Sequence, residues 1–496
     1  MTAYTREPEF DEFAAAKEQF EKLLGELGSP SARALEHGEV ESLIAREGNE
    51  LLRRLMQGYL DQRAQSEAQR EGVMGVDGQE RRHGRARSRA LATVFGEVRV
   101  RRLGYSGAGL DSVFPLDAAL NLPPDQYSLW LRRKVALEVA QGSFDEAVKA
   151  IEEGTGAQVP KRQTEQLSRA VSVDFDAFYA RRPVEAGTGL LVMSVDGKGV
   201  VMRQQDLREA TRKAAEKSKR RLKTRLSRGE KRNRKRMATV AAVYDVAPHP
   251  RTAEQIMGLE ESSSRRPPIE KKRVWASLRH TPAAVIQDLF TEAQRRDPDH
   301  QRTWLVLVDG QEAQLGALQA AIARHRPDTV VIQDFIHALE YLWKAAYCFH
   351  LEGSAEAEAW VLDHALALLH GKVSDVAAGV RRSATRRDLS QAAREPVDKC
   401  ADYLLKNKPR FDYATALVHG WPIATGIIEG ACRHLVKDRM DLTGARWSLD
   451  GAEAVLRLRA LRASGDFEDY MLFHRRQEHQ RNYPSAPQDV GLKLAA

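Results

Sequence analysis

The chain has few cysteines and no long apolar segment. Its three cysteines, Cys348, Cys400 and Cys432, lie far apart and form no CxxC pair. This spacing argues against a disulfide framework and against a zinc ribbon, and it favours a reducing compartment. No apolar run reaches membrane-spanning length, and the acidic N-terminus lacks the basic and apolar parts of a signal peptide. The sequence therefore predicts a cytoplasmic protein with no membrane-spanning helix.

Positive charge is what the chain has in excess. Its 496 residues carry a net charge of +8 and give a pI near 9.3. This balance favours an anionic partner, with nucleic acid ahead of membrane lipid. Hydrophobic residues make up 42% of the chain, which is enough for packed domains, and the length suggests roughly two to four of them.

Residues 1–75 form the first segment and have a helical pattern. Apolar residues recur at a 3.6-residue period between Val40 and Leu60, with charged residues between them. This pattern predicts one amphipathic helix, used for packing or self-association.

Residues 76–120 form the second segment, where the period shifts towards two. Strands are predicted over Ala90–Val94 and Val98–Leu103, with a turn at Phe95-Gly96. Arginines cover this predicted β-ribbon. They either follow a phosphate backbone or form a solvated charged face.

Residues 121–183 predict three helices, with a glycine-containing turn before the last one. Lys161 and Arg162 open this last helix. The arrangement is typical of a helix-turn-helix domain whose second helix enters the DNA major groove. A helical hairpin without DNA-binding function is the alternative.

Strands and helices alternate from residue 184 onward. The predicted strands are Leu190–Val195, Ala238–Val246, Lys272–Leu278, Trp304–Val308 and Thr329–Ile332. One helix begins at Thr281-Pro282, another covers 311–325, and a last one carries Glu429. This is the element order of an RNase H-like fold, an α/β fold with a mixed sheet in which the first and fourth strands are neighbours. The domain is predicted to span 184–350 and 421–465, with an all-helical insertion at 351–420 and a C-terminal tail at 466–496.

Three acidic residues occupy corresponding places in this order. Asp196 closes the first strand, Asp309 closes the fourth, and Glu429 lies at the start of the last helix. Clustered carboxylates repel one another and are stable as anions mainly when a hard divalent cation neutralises them. The pattern predicts a site for Mg²⁺ or Mn²⁺, with two ions expected, as in phosphoryl transfer. Taken singly, each Asp-Gly is also a common turn, and Glu429 is also a typical first-turn helix acid.

Asp334 competes with Asp309 as the second acid. It also follows a strand, and His337 would share its helical face. The alternative is that Asp334 caps the following helix and His337 is a satisfied structural residue.

Basic residues surround the predicted site. The segment 204–236 is a basic insertion that contains Arg220 and Arg221, and residues 208–236 hold 15 Lys or Arg against three Glu. We expect such a run either to bind phosphates or to form a segment that is exposed to solvent. The other residues expected to contact DNA are Lys198, Arg433, Lys437, Arg439, Arg446 and Trp447. Trp447 would stack on an unpaired base or belong to the core.

Four motifs resemble those of a known family. They are Ser194-Val195-Asp196-Gly197, Leu307-Val308-Asp309-Gly310, Asp334-Phe335-Ile336-His337 and Thr425-Gly426-Ile427-Ile428-Glu429-Gly430. They resemble the DDE transposases of bacterial insertion sequences, most closely the Kra-type family and more distantly the Mutator-like superfamily. The resemblance implies that Asp196, Asp309 and Glu429 are catalytic metal ligands and that Asp334 and His337 form an accessory motif. His337 is expected to be catalytic as well, by positioning the scissile phosphate or a metal ligand.

The resemblance implies a DNA transposase that cleaves and joins strands at the ends of its own element. Its partners would be terminal inverted repeats and target DNA, and it would act as a homodimer or higher oligomer in the bacterial cytoplasm. Two alternatives remain: a metal-dependent nuclease that does not rejoin DNA, and a non-catalytic helix-turn-helix protein derived from a transposase. The cysteine pair that relatives often carry after the ribbon is absent from 105–115, which argues against a zinc site there.

Overall fold

The computed structural model describes residues 11–184, 187–217, 234–261, 265–310, 312–442 and 444–484. The chain divides into two compact units. Unit 1 comprises the residues up to Arg181 together with those from Phe467 onward, and unit 2 runs from Arg182 to Asp466. No helix within the described ranges is long and apolar enough to cross a membrane.

Unit 1 contains seven described helices before Arg181, five short or medium strands and the C-terminal helix. The helices are α1 (Ala14–Gly28), α2 (His37–Gln65), α3 (Pro115–Ala119), α4 (Leu129–Gln141), α5 (Phe144–Gly154), α6 (Lys161–Val171) and α7 (Phe175–Arg181). The strands are β1 (Val73–Met74), β2 (Glu80–Arg81), β3 (His83–Thr93), β4 (Gly96–Gly107) and β5 (Leu110–Val113). The C-terminal helix is Phe467–Asn482.

The N-terminal segment is a pair of helices. The amphipathic helix predicted between Val40 and Leu60 is confirmed by α2, whereas the separate helix α1 before it was not predicted. The chain leaves the helical conformation at Ser29, whose backbone is extended, and Pro30 follows. A residue before proline is disfavoured in the helical region, which explains the break. The two helices then pack together, and Gln19 of α1 donates a hydrogen bond to the Glu47 carboxylate of α2 (2.9 Å).

The predicted hairpin is confirmed as part of a three-stranded antiparallel sheet, β3-β4-β5. Thr93 pairs with Gly96, so the two-residue turn is Val94-Phe95, one residue earlier than predicted. Leu91, Val98 and Val100 alternate inward and bury their side chains against Leu60 of α2. The ribbon is therefore fixed to the long N-terminal helix.

The three helices predicted for 121–183 are confirmed as α4, α5 and α6, whereas α7 was not predicted as a separate helix. The C-terminal helix packs with this group. The Tyr470 hydroxyl donates to the Val171 carbonyl (2.5 Å), and His474 Nδ1 lies 2.7 Å from an Asp174 carboxylate oxygen. The segment interpreted as a tail is thus, over Phe467–Asn482, a packed helix of unit 1.

Unit 2 has five long or medium strands and twelve described helices. The strands are β6 (Leu190–Val201), β7 (Lys235–Val246), β8 (Ile269–Ser277), β9 (Trp304–Val308) and β10 (Val330–Gln333). The helices are α8 (Glu209–Glu216), α9 (Ala253–Ile256), α10 (Pro282–Arg296), α11 (Glu312–His325), α12 (Phe335–Ala346), α13 (Ala355–Leu369), α14 (Val373–Arg386), α15 (Gln391–Asn407), α16 (Tyr413–Val418), α17 (Gly426–Ala431), α18 (Asp438–Met440) and α19 (Leu449–Ser464). A π-helical segment, Cys432–Lys437, lies between α17 and α18.

The strands form one mixed sheet in the order β10-β9-β6-β7-β8. β6 pairs with β7 antiparallel and with β9 parallel, so the first and fourth strands are neighbours, as predicted. The prediction that the first strand ends at Asp196 was wrong. Its parallel pairing stops at Ser194, but its antiparallel pairing with β7 continues to Val201, which leaves Asp196 inside the strand and just past the end of β9.

One hydrophobic cluster of unit 2 lies against one face of this sheet. Alternate strand residues such as Val192, Leu305 and Ile332 pack against α12 and the helices of 351–420. The all-helical prediction for this insertion is confirmed by α13 to α16. Because the insertion helices share the sheet's own core, they hold the ends of β9 and β10 in place.

Candidate active site

Asp196 has both carboxylate oxygens hydrogen-bonded. Oδ1 accepts from the backbone N–H of Gly197 (2.5 Å), and Oδ2 accepts from the thiol of Cys432 (3.1 Å). Gln314 of α11 supports the same strand: with its amide oriented to satisfy both groups, it donates to the Val195 carbonyl (3.1 Å) and accepts from Gly197 N–H (3.3 Å). Asp196 is half-buried. Asp196 therefore lies where β6, α11 and the π-helical segment after the Glu429 helix come together.

Asp309 follows β9 in a turn that requires glycine. Gly310 has φ of +95°, a conformation that residues with a side chain rarely adopt. A Cβ at this position would also lie 3.0 Å from the amide nitrogen of Gln333. Burial raises the pKa of the Cys432 thiol and of the Tyr403 hydroxyl, and the charge of Asp309 adds to both shifts. Asp309 thus acts electrostatically on the group that binds Asp196.

Asp334 follows β10 and is 1% exposed. Its Oδ1 accepts from the N–H of Ile336 (3.1 Å), so it is the N-cap of α12 and the capping interpretation is confirmed. Oδ1 also accepts from the backbone N–H of Thr425 (3.3 Å), and Oδ2 accepts from the Thr425 hydroxyl (2.6 Å). These bonds satisfy a buried carboxylate and join the end of β10 to the helix that carries Glu429.

Glu429 lies on α17 with its side chain exposed. Its Oε1 is 3.4 Å from the Thr425 hydroxyl, whose single hydrogen is already used in the shorter bond to Asp334. Partial burial raises the pKa of Glu429 above 4.5, and the charge of Asp334 raises it further. Glu340 and Asp196 add smaller upward contributions. The acids therefore repel one another across one region.

The four acids share a site but do not surround a common point. Within the described ranges, no group of three or more His, Cys, Asp or Glu side chains has metal-holding geometry. The donors are nevertheless carboxylate oxygens, which Mg²⁺ prefers, and the repulsion that raises the Glu429 pKa is what a hard cation relieves. The carboxylate oxygens are suitable ligands for Mg²⁺ or Mn²⁺. The side chains must, however, move closer together to coordinate one ion.

His337 lies in the first turn of α12, beside two stacked tyrosines. Tyr341 and Tyr403 stack with ring centroids 4.0 Å apart, and His337 meets both edge-on at 5.4 and 5.7 Å. Its Nδ1 lies 3.6 Å from a carboxylate oxygen of Glu340. The ring is thus packed on one side and remains partly exposed on the other.

Sequence reasoning missed several residues of this site. Thr425 and Cys432 lie four residues before and three residues after Glu429, so helical spacing alone places them near its face. Gln333 and Tyr403 are different, because no local pattern marks them. Gln333 is a buried polar residue at the end of an apolar strand, and Tyr403 reaches it from the insertion (2.8 Å).

The basic row after Glu429 divides into exposed and buried residues. Arg433 and Lys437 are exposed, as expected for residues that contact DNA. Arg439 is 3% exposed, and its guanidinium lies 4.7 Å from the ring centroid of Trp447. The π-helical segment explains the difference, because its wider turn rotates the residues that follow relative to an α-helical register. The expectation that Arg439 is presented to DNA is therefore corrected.

Trp447 belongs to the core, in agreement with the second of its two predicted roles. It is 6% exposed, its ring nitrogen donates to the Met440 carbonyl (3.1 Å), and its backbone pairs with Met202 beyond β6. It is not available to stack on a base. Arg446 beside it is exposed, and Lys198 on β6 is half-buried.

The remaining basic candidates lie elsewhere. Arg220 and Arg221 fall outside the described residues. In unit 1, Lys161 and Arg162 are exposed at the start of α6, and Lys161 pairs with Asp145 of α5 (2.6 Å). The turn before α6 is packed against the ribbon, where Gly156 N–H donates to the Val94 carbonyl (2.9 Å).

Comparison with models of protein families gives no match to this chain, and a search of curated proteins finds no similar sequence.

Proposed function

We propose that this protein is a DNA transposase that cleaves and joins DNA strands at the ends of an insertion sequence. The observation that carries the proposal is the position of Asp196 on β6 and of Asp309 directly after the adjacent parallel strand β9, with Glu429 electrostatically coupled to Asp196. The sheet order, with the first strand between the second and the fourth, supports an RNase H-like fold.

The acids would hold the cations of the reaction. Asp196, Asp309 and Glu429 are the proposed ligands of Mg²⁺ or Mn²⁺, which would supply the positive charge that an in-line phosphoryl displacement needs. The chain itself positions the ligands. The Cys432 thiol holds Asp196, and the Gly310 turn holds Asp309.

Open space beside Glu429 supports the approach of DNA. A Cβ at Gly426 or Gly430 would meet no atom within 4 Å. The exposed Arg433 and Lys437 follow on the same segment, where they would bind backbone phosphates. His337 would orient the scissile phosphate. In unit 1, Lys161 and Arg162 would contact the terminal repeat.

Joining two DNA ends requires at least two copies of the chain, so we propose a homodimer or a higher oligomer. The long helix α2 exposes Leu52, Leu55 and Tyr59 at heptad spacing. Such a stripe suits association between helices. The proposed reaction also places the protein with DNA in the cytoplasm.

The test is cleavage and strand transfer with Mg²⁺ on DNA that carries the sequences flanking the reading frame. We expect Asp309→Asn to abolish both steps and Asp334→Asn to lower stability more than chemistry. Asp299→Asn, a change of the same kind at an exposed loop position, is the control and should retain activity. Full activity of Asp309→Asn together with loss of chemistry in a folded Asp334→Asn would assign the second ligand to Asp334.

The same assay separates the alternatives. A substrate with a precleaved 3′-hydroxyl end and a target duplex gives joined product only with a transposase. Cleavage without joining would show a nuclease. A stoichiometric DNA complex with no Mg²⁺-dependent cleavage would show a DNA-binding protein without catalytic activity.

A further inference from the structure

The helical insertion contains a basic turn that lies near the acids. The turn is a 3-10 segment, Lys408–Arg410, directly after α15. Asn407, which is 2% exposed, fixes its start: its amide nitrogen donates to the Tyr403 carbonyl (2.8 Å), and its amide oxygen accepts from the Arg410 guanidinium. The buried Asn407 side chain therefore fixes the position of the Arg410 guanidinium.

One side-chain amide connects Arg410 to the active site. Arg410 Nε donates to Gln333 Oε1 (3.5 Å), and Gln333 is the fully buried last residue of β10, directly before Asp334. The same amide lies against Gly310, where an added Cβ would be 3.0 Å from its nitrogen. Gln333 thus separates Arg410 from the turns that carry both Asp309 and Asp334.

Arg410 lacks the anionic partner that a half-buried guanidinium usually has. Among the described residues it forms no ion pair, and its acceptors are the neutral amide oxygens of Gln333 and Asn407. Burial lowers its pKa. Arg394, in the same insertion, shows the usual arrangement, with its guanidinium 3.0 Å from an Asp398 carboxylate oxygen.

These contacts leave most of the guanidinium's donors unused. Arginine has five N–H groups in a planar fork that matches the oxygens of a phosphate. Removing such a cation from water costs energy that an anion placed beside it offsets. Through Gln333, Arg410 adjoins the turns that carry Asp309 and Asp334, next to which a phosphodiester must lie for the proposed reaction to occur.

We propose that Arg410 binds a DNA phosphate next to the scissile one, with the exposed Lys408 extending this contact along the strand. The inference rests on the proposed function and assigns a substrate-binding role to the insertion. The insertion then does more than fill the core: it brings a phosphate-binding arginine to the edge of the acidic site from a region 70 residues or more after β10 in the sequence.

The test compares Arg410→Gln and Arg410→Lys with the control Arg394→Gln in the full-length protein. The first measurement is binding of a DNA duplex at several salt concentrations without divalent metal. We expect Arg410→Gln to weaken binding to all sequences and to reduce the salt slope by about one. The second is Mg²⁺-dependent strand cleavage, which should fall about 100-fold in Arg410→Gln. Arg410→Lys should be intermediate because it keeps the charge and loses the fork, and Arg394→Gln should match the wild type.

Thermal unfolding of each variant separates binding from folding. A purely structural role is shown if Arg410→Gln lowers the melting temperature while Arg410→Lys and the salt slope stay at wild-type values, and this result overturns the inference. An unchanged salt slope and cleavage rate in a folded Arg410→Gln also overturns it. If the wild type binds DNA but forms no cleaved or joined product, the proposed function fails, and the salt slope of Arg410→Gln alone then decides whether the turn binds phosphate.

Discussion

Replacing Thr425 with valine removes one hydroxyl from the acidic site and keeps nearly the same shape. That hydroxyl donates a 2.6 Å hydrogen bond to Asp334, the shorter of the two Thr425 hydrogen bonds that join the end of β10 to the Glu429 helix. Thr425 is 3% exposed, so water cannot replace the donor without a local opening. The substitution therefore measures how much one hydrogen bond to a buried carboxylate contributes to the free energy of unfolding.

The expected loss of stability follows from the burial of Asp334. A hydrogen bond to a charged group contributes about 1.5–3 kcal/mol to stability, and a buried acceptor left without a donor loses its hydration without compensation. We expect Thr425→Val to lower the free energy of unfolding of unit 2 by about 2 kcal/mol. For a unit of this size, that corresponds to a fall in melting temperature of about 3 °C.

Thermal unfolding with EDTA present measures the effect, and Thr329→Val is the matched control. Thr329 is also buried in unit 2, but its hydroxyl donates to the neutral Arg326 carbonyl (2.7 Å). We expect the control to lose about 1 kcal/mol, as for a bond between neutral groups. If Thr425→Val loses no more stability than Thr329→Val, then the bond to Asp334 does not hold the site together and the reasoning is refuted.

Three further predictions concern other parts of the chain. The pKa of Glu429 is raised in the folded state, so ionised Glu429 destabilises the fold, and this destabilisation disappears as the pH falls through that pKa. Glu429→Gln should therefore raise the metal-free stability near neutral pH but not well below pH 4.5, as measured by urea unfolding. Cys432→Ala should weaken Mn²⁺ binding about 10-fold, by the paramagnetic resonance of free Mn²⁺, and Cys432→Ser should largely restore it, because serine can still donate to Asp196. Gly156→Ala places a Cβ 2.5 Å from the Phe95 carbonyl and should destabilise unit 1 by about 2 kcal/mol in chemical unfolding, whereas an unchanged midpoint would show that the turn can move.

The strands that carry the acids were predictable because they are buried on both faces. Such strands appear in the sequence as short continuous apolar runs, and Trp304–Val308 matches β9 at both ends. Their order also predicted the pairing of β6 with β9. The C-terminal end of β6 was not predictable, because it depends on how far the antiparallel pairing of β6 with β7 continues.

Residues whose position depends on distant packing were missed or misplaced. Arg439 was expected to face DNA because its spacing from Glu429 is helical, yet the π-helical segment turns it beneath Trp447. Gln333 gave no signal, because its role comes from Tyr403 and Arg410 about 70 residues later in the chain. The roles of the acids in chemistry remain predictions.

The packing of the C-terminal helix determines when unit 1 can become complete during synthesis. Val171 and Asp174 bind Tyr470 and His474, which leave the ribosome only after all of unit 2 has been translated. At roughly 10 residues per second this is a delay of roughly half a minute. Unit 2 can bury its core while unit 1 still waits for its last helix. The helices proposed to read the terminal repeat therefore acquire their final packing only after unit 2 has been synthesised.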